Sequence, residues 1–315
     1  MVGANQGGVA FVFPGQASQR AGMAAELLER DPTARDIFGR AGEILGLDLA
    51  GVCTNGNDAL LTRTDIAQPA LLTTCVAWLA AVRSRGLDAS VLAGHSLGEF
   101  TAWVGSGAIE FEAALRLVRR RSEIMEEAAQ RNPGGMIAVI GLPDDSVTEI
   151  CTQAESIGTV VPANFNSPGQ LVVSGTPDAL DRVAELAKAA GGRAIPLRVA
   201  GAFHSPLMDD AAREFSRLVG AVAIADPRIP VVANVSAEPV TDADSVRRAI
   251  SRQMTSPVLW TASVRRMVAD GVSLFLEVGP GEVLTKLIRR MSTDARTAAV
   301  GSLDALETLS QEVNP

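Results

Sequence analysis

The chain has 315 residues, 47% hydrophobic and 20% charged, enough to bury a large core in one domain or in a large domain with a smaller insertion. A formal net charge of -8 leaves no overall basic face for phosphate backbones, which excludes general nucleic-acid binding. Cys53, Cys75 and Cys151 are odd in number and lack C-x-x-C spacing, so they fit buried reduced thiols and a cytoplasmic setting.

Val9 to Phe13 reads as a buried strand ending at Pro14-Gly15; no basic segment precedes it, so a secretory signal is not expected. Helical periodicity follows at Met23–Arg30, Ala34–Leu45 and Gln68–Arg85. The apolar run Ala70–Val82 is too short to span a bilayer and reads as a core helix, so no membrane association is expected. A strand at Ser90–Ala93 leads into helices at Leu97–Gly105 and Phe111–Gln130. Strands alternating with long helices predict a parallel sheet covered on both faces.

From Gly134 the pattern changes. Strands at Met136–Ile140, Val160–Asn164, Gln170–Ser174 and Arg193–Val199 are interleaved with helices at Asp144–Ser156 and Pro177–Ala190. That β-α-β-β-α-β order predicts a small ferredoxin-like domain at residues 133–203. The earlier rhythm then returns, with helices at Pro206–Val219, Asp244–Gln253, Thr261–Asp270 and Glu282–Met291 and strands at Ile229–Asn234 and Ser273–Val278. The expected fold class is α/β, with a large domain made of 1–132 and 204–315.

Between the strand at Ser90–Ala93 and the next helix lies Gly94-His95-Ser96-Leu97-Gly98, the Gly-x-Ser-x-Gly of a nucleophile elbow. Such a turn holds a serine at the carboxyl end of a strand, beside helix N–H groups able to stabilise an oxyanion. Serine needs a base, and the chain has only two histidines. His95 adjoins Ser96 on a tight turn and points elsewhere, which leaves His204 as the base accepting through Nε2. An acid that would orient the histidine is hard to find between them, and a backbone carbonyl could serve in its place.

The segments "FVFPGQASQRAGM", "GHSLGEF", "NFNSPGQLVVSG", "GAFHSPLM", "RQMTSPVLW" and "EVGPGEVLTKLIRR" occur in order from Phe11 to Arg290. Together they resemble the bacterial malonyl-CoA:acyl-carrier-protein transacylase family, which includes polyketide synthase acyltransferases. The resemblance implies an α/β-hydrolase-like core with a ferredoxin-like small domain and a cleft between them. It implies that Ser96 is acylated and that His204 is the general base, with the N–H groups of Gln16 and Leu97 as oxyanion hole. Gln253 matches the glutamine whose neighbourhood orients the histidine by main-chain carbonyl, and Asn166 falls in the segment facing the site. Arg121 resembles the arginine that grips the acyl carboxylate through paired hydrogen bonds, whereas Arg119 and Arg120 read as a solvated face. Phe203, before the histidine, implies a preference for malonyl over a methyl-branched acyl group, worth about 1–3 kcal/mol. Ala17 and Ser122 stand where glycine is more usual.

The implied partners are malonyl-CoA and a phosphopantetheinylated acyl carrier protein, served in ping-pong order by a monomer for fatty-acid or polyketide synthesis. Lys286, Arg289 and Arg290 are candidates for a basic docking patch on an otherwise acidic chain. No H-E-x-x-H, P-loop or G-x-G-x-x-G context occurs, so no metal or cofactor is expected beyond the coenzyme A thioester as substrate. Two rivals remain: a serine hydrolase or editing thioesterase with water as acceptor, and a non-catalytic scaffold.

Overall fold

The computed structural model describes residues 7–56, 58–291 and 294–313. Its strands, in chain order, are β1 (Gly8–Phe13), β2 (Val91–Gly94), β3 (Gly135–Ile140), β4 (Val160–Ser167), β5 (Gln170–Gly175), β6 (Arg193–Pro196), β7 (Val231–Val232), β8 (Pro239–Val240), β9 (Val272–Val278) and β10 (Arg296–Val300). They form a six-stranded sheet in the order β10-β9-β1-β2-β7-β8 and a four-stranded sheet in the order β4-β5-β3-β6.

Every pairing in the first sheet is parallel except β7 with β8. Its central strand, β1, is apolar at each of Ala10–Phe13 because both faces are covered. Phe11 and Phe13 enter the main core with Trp78, Phe100 and Trp103, while Ala10 and Val12 face a second layer with Trp260 and Phe275. The helix Thr64–Arg83 is apolar almost all round because it is buried in that main core.

The second sheet is antiparallel throughout. Its own core joins Val139, Leu171 and Val173 to Val147 and Ile150 of helix Asp144–Ala154 and Val183 of helix Pro177–Ala189. β4 is bonded to the segment before helix Trp260–Ala269, Phe165 N–H donating to Val258 O at 3.0 Å and Val258 N–H to Ala163 O at 2.8 Å.

Several expectations need correction. The strand expected at Arg193–Val199 stops at Pro196, and Leu197–Val199 instead lines a cavity. The strand expected at Ile229–Asn234 pairs with β2 only at Val231–Val232, and the Asn234 backbone N–H is given to Glu99 Oε1 in place of a ladder partner. The helix expected from Pro206 starts as a single 3-10 turn and becomes α-helical at Asp209. Helices Leu49–Asn55, Asp58–Thr62 and Leu303–Val313 and strands β8 and β10 were not anticipated. They are short or, like Leu303–Val313, lie beyond the last expected element.

Candidate active site

The turn after β2 is set by its glycines. A Cβ on Gly94 would lie 2.0 Å from the carbonyl carbon of Gly98, and one on Gly98 would lie 2.1 Å from Phe13 O. No side chain fits at either point, so strand, turn and helix pack backbone to backbone. Ser96 between them has φ +50°, a left-handed conformation that costs a non-glycine residue about 1–2 kcal/mol. Neighbouring groups hold it there. Its N–H donates to Asn234 Oδ1 at 2.7 Å, and its carbonyl accepts from Gln253 Nε2 at 2.9 Å.

Ser96 Oγ lies 2.9 Å from His204 Nε2. His204 is also left-handed, at φ +58°, and is buried. Its Nδ1 sits 3.0 Å from Gln253 O and 3.1 Å from Ser256 O. Two carbonyl acceptors require the proton at Nδ1, which leaves the Nε2 lone pair facing the serine hydroxyl. The orienting group is therefore the main chain.

Burial, and next the charge of Arg121, push His204 down to about 3. The folded state keeps this imidazole neutral where the unfolded chain, at its ordinary 6.5, takes up a proton. Acid below that value therefore favours unfolding through this group. In thermal melts, the midpoint of His204→Gln should gain on that of the parent as pH falls from about 6.5 to about 4.5. A constant difference would contradict the neutral, buried imidazole.

Arg121, on helix Phe111–Arg131, is 1% exposed. Its Nη1 donates to Gln68 Oε1 at 2.7 Å and its Nη2 to Gln253 Oε1 at 3.0 Å, while its Nε–H has no acceptor among the described residues. The guanidinium lies 5.6 Å from the Phe100 ring centroid. Burial pulls it down to about 10, outweighing the upward pull of Glu99. Arg119 and Arg120 form exposed surface pairs with Glu123.

A cavity of about 350 Å³ opens over these groups, lined by Ser96, Leu97, His204, Gln16, Arg121 and Phe203 among others. The N–H groups of Gln16 and Leu97 have no acceptor among the described residues. Met125, Met136, Leu197 and Val199 supply an apolar wall.

Asn166, expected to face substrate, lies instead under the turn, its Oδ1 2.8 Å from His95 Nε2. Asn164 lines the cavity in its stead. Register shifts in β4 on either side of Asn164–Phe165 break the alternation that would have put both asparagines on one face. Gln253 stands behind Arg121 and His204 rather than in the cavity wall. Lys286, Arg289 and Arg290 are exposed and outside it, near Glu282, Thr297 and Gln170 respectively. Gln68, Glu99 and Asn234 complete the site and were missed. Two of them carried a signal, as polar residues inside the apolar runs "IAQPALL" and "SLGEFTAWV". The three cysteines are buried and unpaired by disulfide, and no group of metal-ligating side chains occurs among the described residues.

A hydroxyl held against a neutral imidazole in an α/β fold, beside a buried cation and N–H groups that lack acceptors among the described residues, is an arrangement able to take up an acyl group. The chain belongs to the acyl transferase domain family, whose profile matches residues 10–309. It is 40% identical over 310 residues to the malonyl CoA-acyl carrier protein transacylase of Bacillus subtilis, covering 96% of this chain and 98% of that one. With the Escherichia coli K12 protein of the same name it shares 41% over 299 residues, 94% and 97% of the two chains. Among solved structures, a Vibrio cholerae acyl carrier protein S-malonyltransferase superposes with a TM-score of 0.93 at 40% identity, covering 96% and 99%. A malonyl-transacylase solved in complex with its type II polyketide synthase acyl-carrier protein superposes at 0.94 with 38% identity, covering 97% and 99%.

Proposed function

We propose that the chain moves a malonyl group from malonyl-CoA to the phosphopantetheine thiol of an acyl carrier protein, by way of an ester on Ser96. The observation that carries this reading is Arg121: a buried cation at the cavity wall whose Nε–H finds no acceptor among the described residues. Leaving such a donor unpaired costs about 1–3 kcal/mol. A carboxylate on the acyl group meets both the free donor and the charge, and its planar geometry matches the guanidinium fork.

In the first half-reaction His204 Nε2 takes the Ser96 hydroxyl proton as Oγ attacks the thioester carbonyl. The oxyanion is received by the N–H groups of Gln16 and Leu97, and collapse expels coenzyme A, which leaves with the proton from His204. In the second, the carrier thiol gives its proton to the same imidazole and attacks the malonyl ester; Ser96 recovers its proton. Phe203 narrows the cavity beside the acyl α-carbon, favouring malonyl over a methyl-branched group. No step draws on a metal or redox cofactor. The four-stranded sheet with its two helices supports a ferredoxin-like domain at 133–203, set into an α/β-hydrolase-like core of 1–132 and 204–315. Reduced buried cysteines support a cytoplasmic setting.

The test is to form the malonyl-enzyme and chase it with phosphopantetheinylated carrier protein or with buffer alone. Transfer to carrier should be faster than release of free malonate by orders of magnitude; equal rates would favour the hydrolase. If Lys286, Arg289 and Arg290 dock the carrier, Arg290→Glu should slow that chase at low salt and leave acylation by malonyl-CoA unchanged.

A further inference from the structure

Glu99 is fully buried, and none of the steps above uses it. Its Oε1 accepts from the Asn234 N–H at 2.7 Å, and its Oε2 accepts from Gln253 Nε2. Beyond each partner lies the reacting machinery. Asn234 holds the Ser96 N–H, and donates through Nδ2 to Gly94 O at 2.6 Å. Gln253 holds the Ser96 carbonyl through Nε2, Arg121 through Oε1 and His204 through its main-chain oxygen. One carboxylate therefore joins the strained serine turn to the buried arginine.

We propose that Glu99 is a positioning residue: its ionised carboxylate fixes which way the Gln253 amide faces, and thereby aims Arg121 at the acyl carboxylate. The proposal rests on the acyl-transfer reading above. With Glu99 ionised, the Gln253 NH2 faces the carboxylate and Ser96 O, and its oxygen faces the guanidinium. A proton on Glu99 sets donor against donor. The amide then turns over, presenting NH2 to a guanidinium that has no acceptor to offer. Arg121 keeps Gln68 but loses its second acceptor, and the Ser96 carbonyl loses its donor.

Burial raises Glu99 to about 7, against the lowering effects of Asn234, Gln253 and Arg121, so this proton comes and goes near neutrality. The other titratable groups around the turn are Arg121, His204 and His95. Arg121 stays charged, and burial holds both imidazoles below their ordinary range.

The experiment is the single-turnover rate of Ser96 malonylation between about pH 5.5 and 8.5, with labelling by a neutral fluorophosphonate as control. The parent should accelerate about tenfold through a limb near pH 7 with malonyl-CoA, and much less with the fluorophosphonate, which has no carboxylate to grip. Glu99→Gln should be slow and flat with malonyl-CoA. Should that variant not fold, Glu99→Asp should keep the limb at a lower rate. A parent without the limb, a Glu99→Gln protein that keeps it, or an aspartate variant that lacks it overturns the proposal. Absence of any malonyl adduct, with fluorophosphonate labelling intact, removes the acyl-transfer reading itself.

Discussion

Ser96→Ala should fold normally and lose acyl transfer by on the order of 10⁴-fold or more, because Ser96 Oγ is the hydroxyl held at 2.9 Å from His204 Nε2. Alanine removes the attacking oxygen and leaves the elbow intact. The left-handed backbone at this position is imposed by the Asn234 and Gln253 bonds to main-chain atoms, which survive the change. Thermal stability should therefore move little while activity vanishes. Appreciable residual transfer, measured as malonyl-carrier formed per minute, would show that another group carries the acyl chain.

Arg121→Ala should lower kcat/KM for malonyl-CoA by about 10²–10⁴-fold, the equivalent of two charge-assisted hydrogen bonds at about 1.5–3 kcal/mol each. The same change should improve acetyl-CoA relative to malonyl-CoA, since an apolar acyl group no longer has to enter beside an unpaired cation. It also leaves Gln68 Oε1 and Gln253 Oε1 without a donor, so some stability is lost with either substrate. Ratios of kcat/KM cancel that common loss. Equal falls for both thioesters would mean that Arg121 serves the scaffold and not the acyl carboxylate.

The local periodicities carried most of the architecture. β1 and β9 are largely apolar runs, and each emerges within a residue of the span expected for it, Val9–Phe13 and Ser273–Val278. Helix Phe111–Arg131 shows its buried stripe at helical spacing, with Arg121 on it. What stayed hidden depended on distant partners. β10 has small, half-exposed residues and owes its existence to pairing with β9. The segment after Pro196 looks strand-like by composition and is recruited into the cavity wall.

The site divides the same way. Ser96 could be read from a five-residue pattern, since its glycines answer a purely local crowding. His204 could be found because a chain with two histidines offers little choice. The bonds that join Glu99 to Asn234 and Gln253 span separations of 135 and 154 residues, and no local pattern encodes that pairing. Asn166 illustrates the converse: its place in a motif was legible, but a register shift in β4 decided which asparagine met the cavity.

The most direct measurement is mass spectrometry of the protein quenched after brief mixing with malonyl-CoA, followed by peptide mapping. One malonyl group should be found on the peptide containing Ser96, absent from Ser96→Ala and removed on adding carrier protein. A malonyl group on any other residue, or transfer to carrier with no enzyme adduct at any time, would contradict an acyl ester on this serine.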